Sequence, residues 1–209
     1  MNAPALLVAL TALTASEPGL PAETGADSPR GSILLAPKVG FFKSTTPLSG
    51  DLFLAAEVGY LTPLLERRLA VVLEVNYHRP KVSGALTDPQ LGGFGAPPPD
   101  GSYSVAVREV AFQLSAVYRF EKALGTLTPY VGGGPGLYLH RATSDMFGSI
   151  ASESDGGFGL QALAGLELPL GPGGAFFEAH YHFAPLELVT TGDKNVGGFL
   201  ASVGYRLHL

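Results

Sequence analysis

From residue 32 to residue 209, apolar and polar positions alternate with a period of two. Side chains two apart share one face of a strand, so this pattern predicts strands with one apolar and one polar face. Eight segments carry it. Residues 32–43 place Ile33, Leu35, Val39 and Phe41 on one face, and 51–62 place Leu52, Leu54, Val58 and Tyr60. Residues 68–79 place Leu69, Val71, Leu73, Val75 and Tyr77, and 104–120 place Val110, Phe112, Leu114, Tyr118 and Phe120. Residues 127–141 place Val131, Leu137 and Leu139, and 157–170 place Phe158, Leu160, Ala162, Ala164, Leu166 and Leu168. Residues 174–184 place Ala175, Phe177, Ala179, Tyr181 and Phe183, and 196–209 place Phe199, Ala201, Val203, Tyr205 and Leu207. Each segment has about ten residues or more, the length of a tilted strand that crosses a bilayer.

The connections alternate in length. TPLLERR, EKALGT and PLGPGG are short, and each follows an even-numbered segment. The stretches 81–103, 142–156 and 185–195 are longer, and the first holds APPPDG. Proline and glycine clusters place such stretches outside a sheet. Short turns at one rim and long loops at the other are expected of an outer-membrane barrel. The pattern therefore predicts an all-β fold, an eight-stranded antiparallel up-and-down transmembrane β-barrel over 32–209. An even strand count returns both ends to one side, which would be the periplasm.

Composition narrows the picture. Charged residues are only 15% and mean hydropathy is +0.25, yet no apolar run reaches eighteen residues. Hydrophobicity without a long run comes from alternation rather than from a spanning helix. The chain has no cysteine, which excludes disulfides, thiolate metal sites and thiol nucleophiles. A net charge of −5 argues against nucleic acid as a partner. The first residues, MNAPALLVALTALTAS, hold a short apolar core followed by small residues. Residues 1–16 read as a signal peptide, although no Lys or Arg precedes the core. Residues 17–31 are rich in Pro, Gly, Ala and acidic side chains and read as a flexible leader.

Alternation fits two arrangements. A soluble barrel turns its apolar face inward, and a membrane barrel turns it outward. Three features favour the second. In TPYVGGGPGLYLH the polar face carries Gly132, Gly134 and Gly136 between Tyr130, Tyr138 and His140, as a crowded interior requires. The polar face holds scattered charges of both signs that are able to pair across a lumen. These are Lys38, Glu57, Glu74, Glu109, Arg119, Glu167, Glu178 and Arg206, with Gln113 and Gln161. The apolar face carries aromatics at both ends: Tyr60, Tyr118, Phe120 and Tyr205 near the short turns, and Phe41, Tyr77, Tyr181 and Phe183 near the long loops.

Glu178, His180 and His182 alternate on one strand and point one way, with His78, His140 and His208 candidates for the same face. Such a set is chemically able to bind a metal. The preferred reading is a hydrogen-bonded lumen network with no metal and no cofactor, because buried charges must be paired. Gly132 to Gly134 lack the following lysine and helix of a phosphate loop. Arg67 and Arg68 read as a solvated turn.

The closing SVGYRLHL resembles the C-terminal signal of outer-membrane proteins, with Ser202, Gly204, Leu207 and Leu209 in the signal positions. Many such proteins end in phenylalanine, and Leu209 departs from that. TPYVGGGPGLYL is similar to a strand of small eight-stranded barrels of the OmpA, OmpX and OmpW kind. The resemblance covers residues 32–209. It implies a bacterial outer-membrane location, contact with outer-membrane lipid, and recognition of the last strand by the barrel assembly machinery. It implies a structural or surface-interaction role, or passage of a small or hydrophobic solute, and no enzymatic function is expected. The proline-rich 81–103 loop is the expected contact surface for an extracellular ligand, because long loops on a rigid scaffold carry interactions. Barrels that deacylate lipid A carry serine two residues after histidine. Here His180 precedes His182, His182 precedes Ala184, and His140 precedes Ala142, so that motif is missing. A lipid-modifying barrel and a soluble periplasmic lipocalin-like barrel with a hydrophobic ligand are the alternatives.

Overall fold

A computed structural model of the chain describes residues 31–87, 100–121, 123–146, 149–184 and 195–209. The expected signal peptide, most of the leader and the stretch 185–194 lie outside the described residues. The elements are β1 (Ser32–Ser44), β2 (Asp51–Leu61), β3 (Leu69–His78), β4 (Lys81–Thr87), β5 (Asp100–Arg119), β6 (Thr128–Met146), β7 (Ser149–Leu170), β8 (Gly173–Phe183) and β9 (Gly198–His208). Every neighbouring pair is antiparallel.

β3 and β4 are one stave of the wall. Both pair with β5, and the register is unchanged across the break: His78 faces Glu109 and Lys81 faces Ala106. Pro80 interrupts the ladder because it has no N–H to donate. Its carbonyl still accepts from Val107 N at 2.9 Å. Counted this way, eight staves close into a ring. β1 joins β9 from Leu34 opposite His208 to Ser44 opposite Gly198, and β3 joins β5 on the far side.

Closure explains the alternation. In β3 the residues Ala70, Val72, Glu74, Asn76 and His78 are buried, and Val71, Leu73, Val75 and Tyr77 are exposed. The same inversion runs round the wall: Lys38, Glu57, Gln113 and Glu178 point inward, while Val39, Val58, Leu114 and Phe177 point outward. The outward face is thus an apolar belt. Rings mark both of its edges, with Tyr60 and Phe120 near the short turns and Phe41, Tyr77 and Phe183 near the other rim. No described helix is long and apolar enough to cross a membrane. A closed ring of strands has no unpaired edge, which makes it one of the two backbone arrangements that lipid tolerates.

Two expected loops are corrected. Both ends of 81–103 are wall: β4 pairs with the start of β5 from Lys81 opposite Ala106 to Thr87 opposite Asp100. Residues 88–99 lie outside the described residues. The expected loop 142–156 is also wall, since β6 and β7 pair without a break up to Met146 opposite Ser149. Proline, glycine and a lack of apolar alternation there are what make the sequence read as loop. In a sheet that continues past an apolar belt, the outward face carries polar side chains such as Ser104, Thr143 and Ser154. One side of the barrel is therefore tall, with β5, β6 and β7 of 20, 19 and 22 residues against 11 for β2, β8 and β9.

The short turns gather at the opposite rim. Gly125 and Gly171 supply positive φ there, at 65° and 58°. The β2–β3 turn achieves the same with Leu65, Glu66 and Arg67, at 50°, 57° and 62°. The Arg67 guanidinium donates to Ser32 Oγ and ties that turn to the start of β1.

Candidate functional site

The lumen is filled by side chains, and charge occupies its middle. β1 is inward at Lys38, so its ammonium enters the barrel axis. Three carboxylates meet it from three other staves. Lys38 Nζ lies 2.8 Å from Glu57 on β2, 2.6 Å from Glu74 on β3 and 2.5 Å from Glu178 on β8. Arg206 on β9 extends the network. Its Nε lies 2.5 Å from Glu57, and its Nη1 lies 2.7 Å from Glu167 on β7. Arg119 on β5 forms two parallel bonds to Glu167, at 2.9 and 3.0 Å. His208 adds a third partner to Glu167 at 3.0 Å, at the short-turn rim. His180 contacts Glu178 at 2.5 Å.

Aromatic rings line the same section. The Arg206 guanidinium lies 4.5 Å from the Phe176 ring centre and 5.1 Å from that of Tyr130. The crowding that the glycine run implies has a visible cause. A Cβ on Gly165 would meet the Tyr130 ring at 2.3 Å, and one on Gly204 would meet Phe176 at 2.5 Å. Tyr138 lies over Gly136 and Gly159 in the same way, with each missing Cβ at 2.9 Å from its ring.

A second group sits nearer the tall rim. Glu109 on β5 stands directly between His78 on β3 and His140 on β6 in the strand register. His78 Nε2 lies 3.6 Å from Glu109, and His140 Nε2 contacts its other oxygen. Neither imidazole has an aligned hydrogen bond, and Glu109 Oε1 and Gln113 Oε1 are also without a partner among the described residues. The Phe42 ring packs against His78 with centres 3.9 Å apart and planes tilted by 34°. Above this group lies an apolar cluster: Leu48, from the β1–β2 connection, is buried against Val105, Val107 and Ala142, beside the Ser44–Thr46 hydroxyl pair.

All ten expected lumen residues are thus inside and at most 6% exposed. The structure brings Lys38, Glu57, Glu74, Arg119, Glu167, Glu178, His180 and Arg206 into one network. Glu109 stands apart from it, and His182 meets Gln113 instead of an ion. Sequence reading did not assign Phe42, Phe53 and Phe176 to the lumen, although the same alternation carries the signal: Phe42 is two positions from Gly40 and four from Lys38. Ser202 is buried on β9, and Leu209 is exposed and paired by backbone bonds to Ile33.

No protein-family model matches the chain, and no curated protein matches it in sequence. Solved structures do match. Neisserial surface protein A aligns with a TM-score of 0.52 at 20% identity, over 85% of this chain and 96% of that one. The fold is that of a small outer-membrane barrel. Two further structures align at lower scores. The N-terminal barrel domain of Pseudomonas aeruginosa OprF gives 0.47 at 17% identity, over 86% of this chain and 100% of that one. Ail, the attachment invasion locus protein of Yersinia pestis, gives 0.46 at 18% identity, over 85% and 97%.

Within this outer-membrane barrel fold, the lumen chemistry favours pairing over catalysis or metal binding. Glu74, Glu178 and His180 do hold donor atoms within 4.8 Å of one another. However, the Lys38 ammonium bonds to both carboxylates of that set. A metal would have to displace a cation already bound to the same oxygens. His182, which the sequence placed beside Glu178 and His180 as a ligand candidate, packs among Gln113, Phe42 and Tyr138. Among the buried serines, Ser115 accepts from Gln161 at 2.6 Å, and Ser44 shares a hydrogen bond with Thr46 at 2.9 Å.

Proposed function

We propose that the chain is a bacterial outer-membrane protein that acts as a non-enzymatic, closed anchor for contacts at the cell surface. The observation that carries this is Lys38 amid Glu57, Glu74 and Glu178, which crosses the lumen and ties four staves together. An eight-stranded barrel has room for side chains but not for a wide channel. Here the room is taken by ion pairs in the middle and by Leu48 with its apolar neighbours toward the tall rim.

The apolar belt supports outer-membrane lipid as the surroundings. Leu73 at 47% exposed and Phe158 at 79% exposed would be costly on a protein in water. This also disfavours a soluble barrel with an internal ligand, because the interior is charged. Ser202, Gly204, Leu207 and Leu209 fit the role of an assembly signal on the last strand. The extended β4–β5 hairpin takes over the contact role expected of the 81–103 loop, since it projects beyond the belt on a rigid wall. In planar bilayers the refolded barrel should show no stable current step. Reproducible single-channel steps would overturn the closed anchor and favour solute passage. In cell fractions, the protein should run with the outer membrane as a band that shifts on boiling.

A further inference from the structure

Arg79, Arg108 and Arg141 stand side by side on the outer surface of the wall. Arg108 and Arg141 are direct cross-strand partners in β5 and β6. Arg79 follows His78, which faces Glu109, so it falls beside Arg108. The three line one hollow of about 300 Å³ together with Ala106 and Thr143. Like charges directly opposite on a sheet repel one another. The Asp51 carboxylate accepts from the Arg79 backbone N–H at 2.5 Å.

The height of this row is informative. One outward step toward the short-turn rim, the same three staves carry Tyr77, Val110 and Leu139, and a further step gives Val75, Phe112 and Leu137. The arginines therefore sit at the edge of the apolar belt, at the tall rim. Directly below them a second hollow of about 590 Å³ shares Arg108 and Arg141 and adds Val110, Phe112, Leu139 and Gly156, with His140, Ser154 and Asp155 completing its lining. Gly156 supplies no side chain there, and Leu139 leans over it, 3.0 Å from where a Cβ would stand.

We propose that the row binds the phosphate of an anionic lipid headgroup, with part of an acyl chain in the apolar hollow beneath. A guanidinium fork matches phosphate oxygens in a two-bond geometry, and a phosphate between arginines removes their mutual repulsion. A free phosphate would satisfy the charges but not the apolar hollow that shares two of the same arginines. The assignment rests on the membrane-spanning reading of the barrel.

The test uses the full chain refolded into phosphatidylcholine vesicles, with and without phosphatidic acid, and follows the unfolding temperature by band shift. Insertion into phosphatidylcholine alone checks the membrane reading, and failure to insert into any vesicle overturns that reading first. Once the barrel is inserted, phosphatidic acid should raise the unfolding temperature. The rise should be lost in Arg108→Gln/Arg141→Gln and kept in Arg67→Gln/Arg68→Gln at the other rim. An equal rise in both variants would overturn the site. So would an equal rise from inorganic phosphate added to phosphatidylcholine vesicles, which would make free phosphate the ligand. If the double variant does not fold, phosphorus NMR on the unaltered chain decides. A broadened phosphatidic acid fraction that high salt releases supports the site, and a single bulk resonance overturns it.

Discussion

The lumen buries charge in two ways within one barrel. Around Lys38 and Arg206, fixed cations meet carboxylates at 2.5 to 2.8 Å, so each ion has a partner of permanent opposite charge. Around Glu109, a carboxylate has only imidazoles for neighbours, and several polar atoms lack aligned partners. Coulomb attraction at low dielectric repays desolvation only when geometry is good and the remaining lone pairs are satisfied. The first group meets that condition more fully than the second. The difference suggests a division of labour, in which the Lys38 network holds the staves together and the Glu109 group is a polar patch beneath an apolar lid.

The largest effect should come from Lys38→Met. It leaves three carboxylates facing one another around the vacated position and should cost about 3–5 kcal/mol. Urea unfolding in bilayers measures this, and a loss below that of the Glu109 variant would reverse the comparison. Placing a charge on the outer face sharpens it from the other side. Leu73→Arg, in mid-strand on the belt, should cost about 2–4 kcal/mol, whereas the inward Glu74 beside it is tolerated because Lys38 pairs with it. Unchanged stability in bilayers would remove Leu73 from the lipid face. Glu109→Gln should cost less, about 1–3 kcal/mol, because an amide still offers its neighbours a hydrogen bond. The smallest change is Arg119→Lys. It keeps the charge but gives up the two-bond fork on Glu167, for about 0.5–1.5 kcal/mol by the same unfolding curve.

The faces and the stave positions were legible in the sequence because a period of two is both a chemical pattern and a geometric one. Leu73 outside and Glu74 inside follow from alternation once the net polarity of the inward face is weighed. The extent of the tall side was not legible. Thr143 and Ser154 read as loop residues unless one knows that the sheet has left the apolar layer there. Nor were the pairings inside. His78, Glu109 and His140 share a row only because of the stagger between β3, β5 and β6. Nothing in one strand states its stagger against the next. The arginine row escaped notice for the same reason, since Arg79, Arg108 and Arg141 lie far apart along the chain.

That stagger points to a use for the rings lying over glycines. A slip of one residue between two staves would turn apolar side chains inward and is self-defeating. A slip of two residues is subtler, since it leaves every side chain on its proper face, and the lipid side would not register the error. The interior would. Tyr130 would lose the gap at Gly165, Phe176 the gap at Gly204, and each would meet a neighbour with a side chain. The rings and gaps thus work as the wards of a lock, rejecting alignments that hydrophobicity alone would pass.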